Sequence, residues 1–344
     1  MKVLGIMSGT SLDGVDLLLA DFSKKETYQF DILAFECLPY PPEWIMKLKQ
    51  AFRMSGQELI SLDHAYGAYL GNICKDFMNK YGKADYIASH GHTFFHQPNH
   101  GFTYQIGNGH DIFYNSSVPV INDFRSEDVV KGGNGAPLVP IGDLLLFPEY
   151  KYCLNLGGFA NISIKKNNTI TAFDIGFCNI VLNELASTFG LKYDEGGKLA
   201  EKGKLIHELF ELLNEVPYYI KKGPKSLGRE WVDDTILPLI MKYPISFDVL
   251  YTVTYHIAFQ ISRHLDNGQL LITGGGTYNN FLTGLIREMA PDVTITIPDE
   301  VIINGKEAFI FAFMGYLRVI KQNNVLSSVT GAKSDSSAGI IYDS

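Results

Sequence analysis

A chain of 344 residues with 29 Lys and Arg against 37 Asp and Glu carries a formal net charge of −8, which argues against a nucleic-acid-binding protein. With 46% hydrophobic and 19% charged residues it is globular rather than disordered, and its length suits about two domains. Cys37, Cys74, Cys153 and Cys178 form no CxxC pair, the start shows no signal peptide, and no uncharged run reaches the ~18–20 residues of a membrane span, so a cytoplasmic protein without a membrane partner is expected.

Three strands are predicted in quick succession, over residues 2–7, 15–22 and 28–38. The turn between the first two, MSGTSLDGVD from Met7 to Asp16, contains Gly9 and Gly14, the hydroxyls of Ser8, Thr10 and Ser11, and the carboxylate of Asp13. Glycine lets main chain approach a bulky anion, and consecutive N–H groups in such a turn form a nest for phosphate. An ordinary hairpin turn is the alternative, but it would not call for so many hydroxyl and carboxylate side chains. Pro39, Pro41 and Pro42 end the third strand, and residues 44–52 form a short amphipathic segment. A capping box at Ser55 and Glu58 then opens a helix whose apolar positions (Leu59, Leu62, Tyr66, Tyr69, Ile73, Phe77) keep helical spacing up to Gly82. Strands follow at 85–90, 103–107 and 118–124. Residues 125–140 (RSEDVVKGGNGAPLVP) read as a long Gly/Pro-rich connection, and the domain boundary is placed at its start. This gives domains 1–124 and 125–324, with 325–344 packing back on the first.

The second part repeats the plan: strands at 152–156, 161–165 and 170–173, then helices at 180–189 and 247–265 on either side of a polar stretch. A strand at 270–273, a helix at 278–289 and a strand at 293–297 follow. A second capping box, Asn304 to Glu307, opens an apolar helix to about Lys321. Two copies of three antiparallel strands followed by alternating helices and strands indicate an internal duplication. LNLGGFANIS places Gly157 and Gly158 at the point equivalent to the first glycine turn, so the pair could grip a polyphosphate. TGGGTYNN, with Gly274, Gly275 and Gly276, fits neither GxGxxG nor a Walker A loop; its glycines suit a ring or phosphate, or else a tight turn.

In AFDIGFCN, Asp174 stands at a strand end before a glycine, as a general base would, or as a cap of the next helix. SHGHTFFHQP gathers His90, His92 and His96, but the spacing fits no structural zinc pattern and favours hydrogen bonding or stacking to a polar ligand. In INDFRSEDVV, Asp123 and Arg125 stand near the domain junction; Arg125 is suited to a carboxylate or phosphate, or to an interdomain salt bridge.

Taken in order, GIMSGTSLDGVD, SHGHTFFHQP, QIGNG, NDFR, GAPLVP, LNLGGFANIS, AFDIG, YDEGGKLAEKG, KSLGRE, TGGGTYNN, KEAFIFAF and SVTGA resemble the anhydro-N-acetylmuramic acid kinase family, across almost the whole chain. The resemblance implies an α/β, two-domain actin-like ATPase fold of duplicated ribonuclease H-like units, with a cleft between the domains. It implies an ATP-dependent phosphotransferase that opens the 1,6-anhydro ring of anhydro-N-acetylmuramic acid and phosphorylates the 6-oxygen in murein recycling. Alternatives are a kinase for another 1,6-anhydrosugar such as levoglucosan, or a non-catalytic actin-like nucleotide-binding protein.

On this chain the catalytic base falls on Asp174. The ATP contacts fall on Gly9, Thr10, Ser11, Leu12, Asp13, Gly14, Val15 and Asp16, with Gly157, Gly158, Gly274, Gly275 and Gly276. Asp13 is the candidate Mg²⁺ contact. Substrate contacts fall on His92, Gln97, Asp123, Arg125 and Glu307. ATP, Mg²⁺ and the anhydrosugar are the implied partners, and a homodimer is compatible with the resemblance. Two departures bear on substrate choice: Phe177-Cys178 replaces the usual Pro-Gly after Asp174-Ile175-Gly176, and Gly223 replaces a frequent proline.

Overall fold

The apolar run Val3–Ile6 makes β1 (Lys2–Ser8) a fully covered central strand in the computed structural model, which describes residues 1–9, 12–167, 169–221 and 225–343. Thr10, Ser11 and Gly223, singled out above, lie outside the described residues. β2 (Gly14–Lys24) runs antiparallel to β1, and β3 (Tyr28–Pro39) antiparallel to β2 at the sheet's edge. β4 (Tyr86–Gln97) lies parallel on the other side of β1; β5 (Phe102–Ile106) folds back along it and β6 (Val120–Asn122) runs parallel to it. β12 (Ile340–Tyr342) completes the sheet antiparallel to β6.

The second sheet has the same core. β7 (Tyr152–Leu156), β8 (Phe159–Lys166) and β9 (Thr169–Phe177) form an antiparallel meander, and β10 (Gly268–Thr273) and β11 (Val293–Thr296) continue it in parallel from β7. The order β3-β2-β1-β4-β6 is thus repeated as β9-β8-β7-β10-β11. This is the α/β duplication expected of the actin-like, ribonuclease H-like plan. The capping box also forms: Ser55 Oγ accepts from Glu58 N at 3.3 Å and Ser55 N donates to Glu58 Oε2 at 2.7 Å. Among the described residues no helix is long and apolar enough to cross a membrane.

The chain divides into residues 1–147 with 305–344, and residues 148–304. The junctions therefore lie later than residue 124 and earlier than residue 324. The first shift arises because the connection after Arg125 is not unstructured. It contains a helix, Ser126–Val130, and is tied to the first unit by the buried Asp128, which accepts from Gly135 N at 2.8 Å and from Thr330 Oγ1 at 2.7 Å. The second shift arises because the apolar helix runs from Glu300 to Val319 and does not start at Asn304; Lys306 makes a buried ion pair with Asp143 at 2.7 Å inside the first unit. The polar stretch after residue 190 also contains a helix, His207–Asn214, whose Leu209 and Leu213 join the core of the second unit.

The Glu300–Val319 helix sits close on the first sheet. A Cβ on Gly5 would lie 1.9 Å from the Ala308 carbonyl oxygen and 2.9 Å from Ala312 N; one on Gly315 would lie 2.6 Å from Ala88 Cβ. Strand and helix therefore meet backbone to backbone. Gly5→Ala is expected to cost about 3 kcal/mol or more, because overpacking against rigid main chain cannot be relieved by a rotamer change. Gly56→Ala, where a Cβ meets nothing within 4 Å, is the control. Urea unfolding of both variants decides: equal midpoints would refute the close approach.

Candidate active site

In the first unit the β1–β2 turn brings the polypeptide through Leu12 at φ 59°, a left-handed backbone that a branched residue adopts only under constraint. Asp13 is exposed beyond it and Asp16 is half-buried on β2. Burial raises the Asp16 pKa, Cys37 on β3 lowers it by hydrogen bonding, and Asp13 raises it. Where β4 passes β1 the register slips between Ile6 and Ser8, leaving Gly91 at φ 72°. Gly91 O accepts from Ser8 Oγ at 3.0 Å and from His90 Nδ1 at 2.9 Å. Arg125 Nε approaches His90 Nε2 at 2.9 Å, and a guanidinium can only donate. His90 is therefore neutral, with its proton on Nδ1. Its pKa lies well below the ordinary value through burial and the Arg125 charge.

Arg125 also donates to Gly135 O at 2.5 Å, and burial lowers its pKa to about 10 against the opposing pull of Glu307. Glu307 is open on its solvent side, yet the protein packed around its carboxylate raises its pKa; Arg125 and Lys306 lower it and Asp16 raises it. Arg125, His90, Glu307 and Asp16 thus form one electrostatic cluster. His92 is buried, and its Nδ1 has no partner among the described residues. Asp123 is committed in part, one oxygen accepting from Ser126 N at 3.1 Å. Gln97 stands apart: it pairs with Phe102 at the far end of the β4–β5 hairpin, five residues or about 17 Å along the strand from His92.

In the second unit Asp174 lies on β9 opposite Asn161, at a bulge where Ile175 is the extra residue. Such bulges re-aim side chains. Asp174 Oδ2 accepts from Leu227 N at 2.9 Å, its N donates to Lys225 O at 3.0 Å, and its O accepts from Tyr218 OH at 2.7 Å. Oδ1 makes no hydrogen bond among the described residues. Burial raises the Asp174 pKa, and the Leu227 N–H opposes it. Asp174 is not a cap of the following helix, whose first N–H groups go to the carbonyls of Gly157 and Gly158.

The glycines fall into two kinds. Gly274 has φ 84°, and a Cβ on it or on Gly276 would run into Leu156 at 2.9 and 2.7 Å. A Cβ on Gly157 would meet nothing nearer than 3.3 Å, one on Gly158 nothing nearer than 3.7 Å, and one on Gly275 nothing within 4 Å. The protein's own packing does not demand glycine at 158 or 275, which are bare backbone presented outward, whereas Gly157 is half-buried with little room to spare. Gly275 and Gly276 border a cavity of about 640 Å³ with Asn179, Glu195, Lys198 and Asn280. Its wall is shaped by Asp194, which accepts from Leu199 N at 2.9 Å and Ala200 N at 3.0 Å.

The residues that position Asp174, Tyr218 and Leu227, were not named as site residues, although the polar KSLGRE segment around Leu227 was the signal available. His90 was visible in the histidine cluster, but its link to Arg125, 35 residues on, is purely tertiary.

The profile of the anhydro-N-acetylmuramic acid kinase family matches residues 1–344. The chain belongs to that family. An anhydro-N-acetylmuramic acid kinase of Francisella tularensis subsp. novicida is 34% identical over 96% of each chain, and one of Haemophilus influenzae is 33% identical over 98% of this chain and 97% of that one. Among solved structures, the activator of the 2-hydroxyisocaproyl-CoA dehydratase from Clostridium difficile with bound ADPNP aligns with 93% of this chain and 97% of its own. Its TM-score is 0.44 and its identity 11%, too slight a likeness to carry weight. Family membership therefore rests on sequence, and the repeated sheet order agrees with the fold it implies.

The division of the glycines is open to test. Alanine at 158 or 275 should leave the melting temperature where it is, whereas alanine at 274 or 276 should lower it by several degrees. Equal losses at all four positions would make every one of these glycines structural.

Proposed function

We propose that this chain is an ATP-dependent kinase that hydrolytically opens the 1,6-anhydro ring of anhydro-N-acetylmuramic acid and phosphorylates the 6-oxygen, giving N-acetylmuramic acid 6-phosphate and ADP in cell-wall recycling. The observation that carries the reading is Asp174, half-buried at a strand bulge with one oxygen held by Leu227 N and the other without a hydrogen bond among the described residues, in a chain of this family throughout its length.

Asp174 Oδ1 takes a proton from a water molecule, whose oxygen bonds to the anomeric carbon. The bond from that carbon to the bridging oxygen breaks, and the released 6-oxygen attacks the γ-phosphorus as ADP leaves. Burial, by raising the Asp174 pKa, makes its carboxylate a stronger base than an ordinary aspartate. His92, Asp123, Arg125 and Glu307 are the proposed sugar-side groups; Gln97, about 17 Å along β4 from His92, falls outside that set.

Gly9–Asp16, Gly157, Gly158 and Gly274–Gly276 are the proposed ATP contacts. The fit is supported by Gly275, at which a Cβ would occupy open space, by Gly158, at which it would make only ordinary contact, and by the cavity beside Gly275. Among the described residues no three His, Cys, Asp or Glu gather as a ligand set. Mg²⁺ in kinases does not need one, taking one or two carboxylates plus phosphate oxygens. Asp13 is the proposed contact, and the repulsion of Asp16 by Asp13 and of Glu307 by Asp16 is what a cation would relieve. When bound, Mg²⁺ neutralises phosphate charge.

ADP release should depend on the anhydrosugar, and product made in isotopically labelled water should carry one labelled oxygen at the anomeric carbon. Turnover of levoglucosan alone would overturn the muramyl assignment. Asp174→Asn should lower kcat by about 10²–10⁴-fold; full sugar-dependent ADP release in that variant would remove Asp174 as the base. Because the base works deprotonated and its pKa is raised, kcat/KM should fall as pH drops through a limb lying above the ordinary aspartate value of 3.8. Loss of activity only on raising the pH would contradict this sign.

A further inference from the structure

The Arg125 guanidinium is held at one end of a buried chain of hydrogen bonds that starts some two hundred residues away. Thr330 Oγ1 donates to Asp128 Oδ1 at 2.7 Å, Gly135 N donates to Asp128 Oδ2 at 2.8 Å, and Arg125 donates to Gly135 O at 2.5 Å. Asp128 is 0% exposed and Thr330 1%. A fully buried carboxylate is costly, and among the described residues no cation pairs with Asp128: its two oxygens are met by a hydroxyl and an amide. Its packing is equally exacting, since a Cβ on Gly133 would lie 2.2 Å from Asp128 Oδ2. The Ser327–Thr330 turn and the segment that follows it are both docked on the same loop. Asn134 N donates to Thr330 O at 2.9 Å, and Lys131 Nζ reaches Asp335 O at 3.1 Å and Ser336 Oγ at 3.0 Å.

Among the described residues no charge pair forms at Asp128 itself. The effect of the arrangement is to hold the backbone at one residue, Gly135, by its N–H, and the carbonyl of that same residue is the second anchor of Arg125 beside His90. We propose that Thr330 and Asp128 are positioning residues, and that through Gly135 they aim the Arg125 guanidinium at the substrate. The Ser327–Thr330 turn thereby becomes part of the sugar-binding apparatus without touching the sugar. This rests on the reading of Arg125 as a sugar-side group.

Thr330→Val keeps the shape and removes the donor. It should lower kcat/KM for the anhydrosugar about tenfold, the worth of one well-placed hydrogen bond, while KM for ATP stays within about twofold. Thr330→Ser, which restores the hydroxyl, should recover the activity. In an Arg125→Ala background, Thr330→Val should cost nothing further, since neighbours acting through one group are non-additive. Thr330→Ala replaces the valine variant if the latter does not fold. Full activity of the folded valine or alanine variant beside a crippled Arg125→Ala would overturn the relay alone, as would a full extra loss in the double variant. Full activity of Arg125→Ala would instead overturn the sugar-side reading of Arg125, and the inference with it.

Discussion

The contact on which the first unit depends is main chain against main chain, β1 at Gly5 against the helix at Ala308. Because no side chain stands between them, the depth and rotation of the Glu300–Val319 helix are set by the sheet itself. Ala308, Ala312 and Gly315 lie along the seam, one or two turns apart. The neighbouring stripe of the helix, residues 307 and 311, is then aimed at β4 and the Arg125 loop. Glu307 comes within electrostatic reach of Arg125 and Asp16, and Phe311 packs on the His90 ring with centroids 4.6 Å apart. The preceding residue, Lys306, is turned inward and neutralised by Asp143.

Both units hold their key charged side chain in the same manner. Arg125 is anchored by a backbone carbonyl and a neutral imidazole, and Asp174 by a backbone N–H; neither has a direct ion-pair partner among the described residues. A salt bridge would lock such a group and spend its charge. Dipoles fix its direction and leave most of the charge for a ligand. The accompanying pKa shifts follow: burial pushes Arg125 down and Asp174 up, each towards its neutral form.

The sequence was most legible where a signal is local. The two meanders, the Ser55 capping box, the Gly82 stop and the duplication could all be read from spacing, because period and capping are encoded within a few residues. The glycine turns and Asp174 were legible as candidates, but the distinction between Gly274, which its own fold requires, and Gly275, which it does not, appears only when Leu156 is seen beside them. The junctions were misplaced for a tertiary reason. Residues 125–140 look like a linker by composition, and their order comes from Asp128 and Thr330, 202 positions apart in the chain. Likewise Asn304 has the composition of a cap, yet the helix has already begun at Glu300.

The division of the chain also orders its synthesis. Residues 148–304 are contiguous and hold a complete five-stranded sheet with its own core. The first unit is not contiguous: β1 has no helix on Gly5 until residues past Ala308 have been made, and β6 has no outer neighbour until Ile340–Tyr342 arrive. Pairings of such separation are closed late, since loop entropy must be met before they repay it. The ribosome therefore exposes the interrupted unit as a partly covered sheet while the inserted one is already able to fold, and the half that carries Arg125 is the last to acquire its shape.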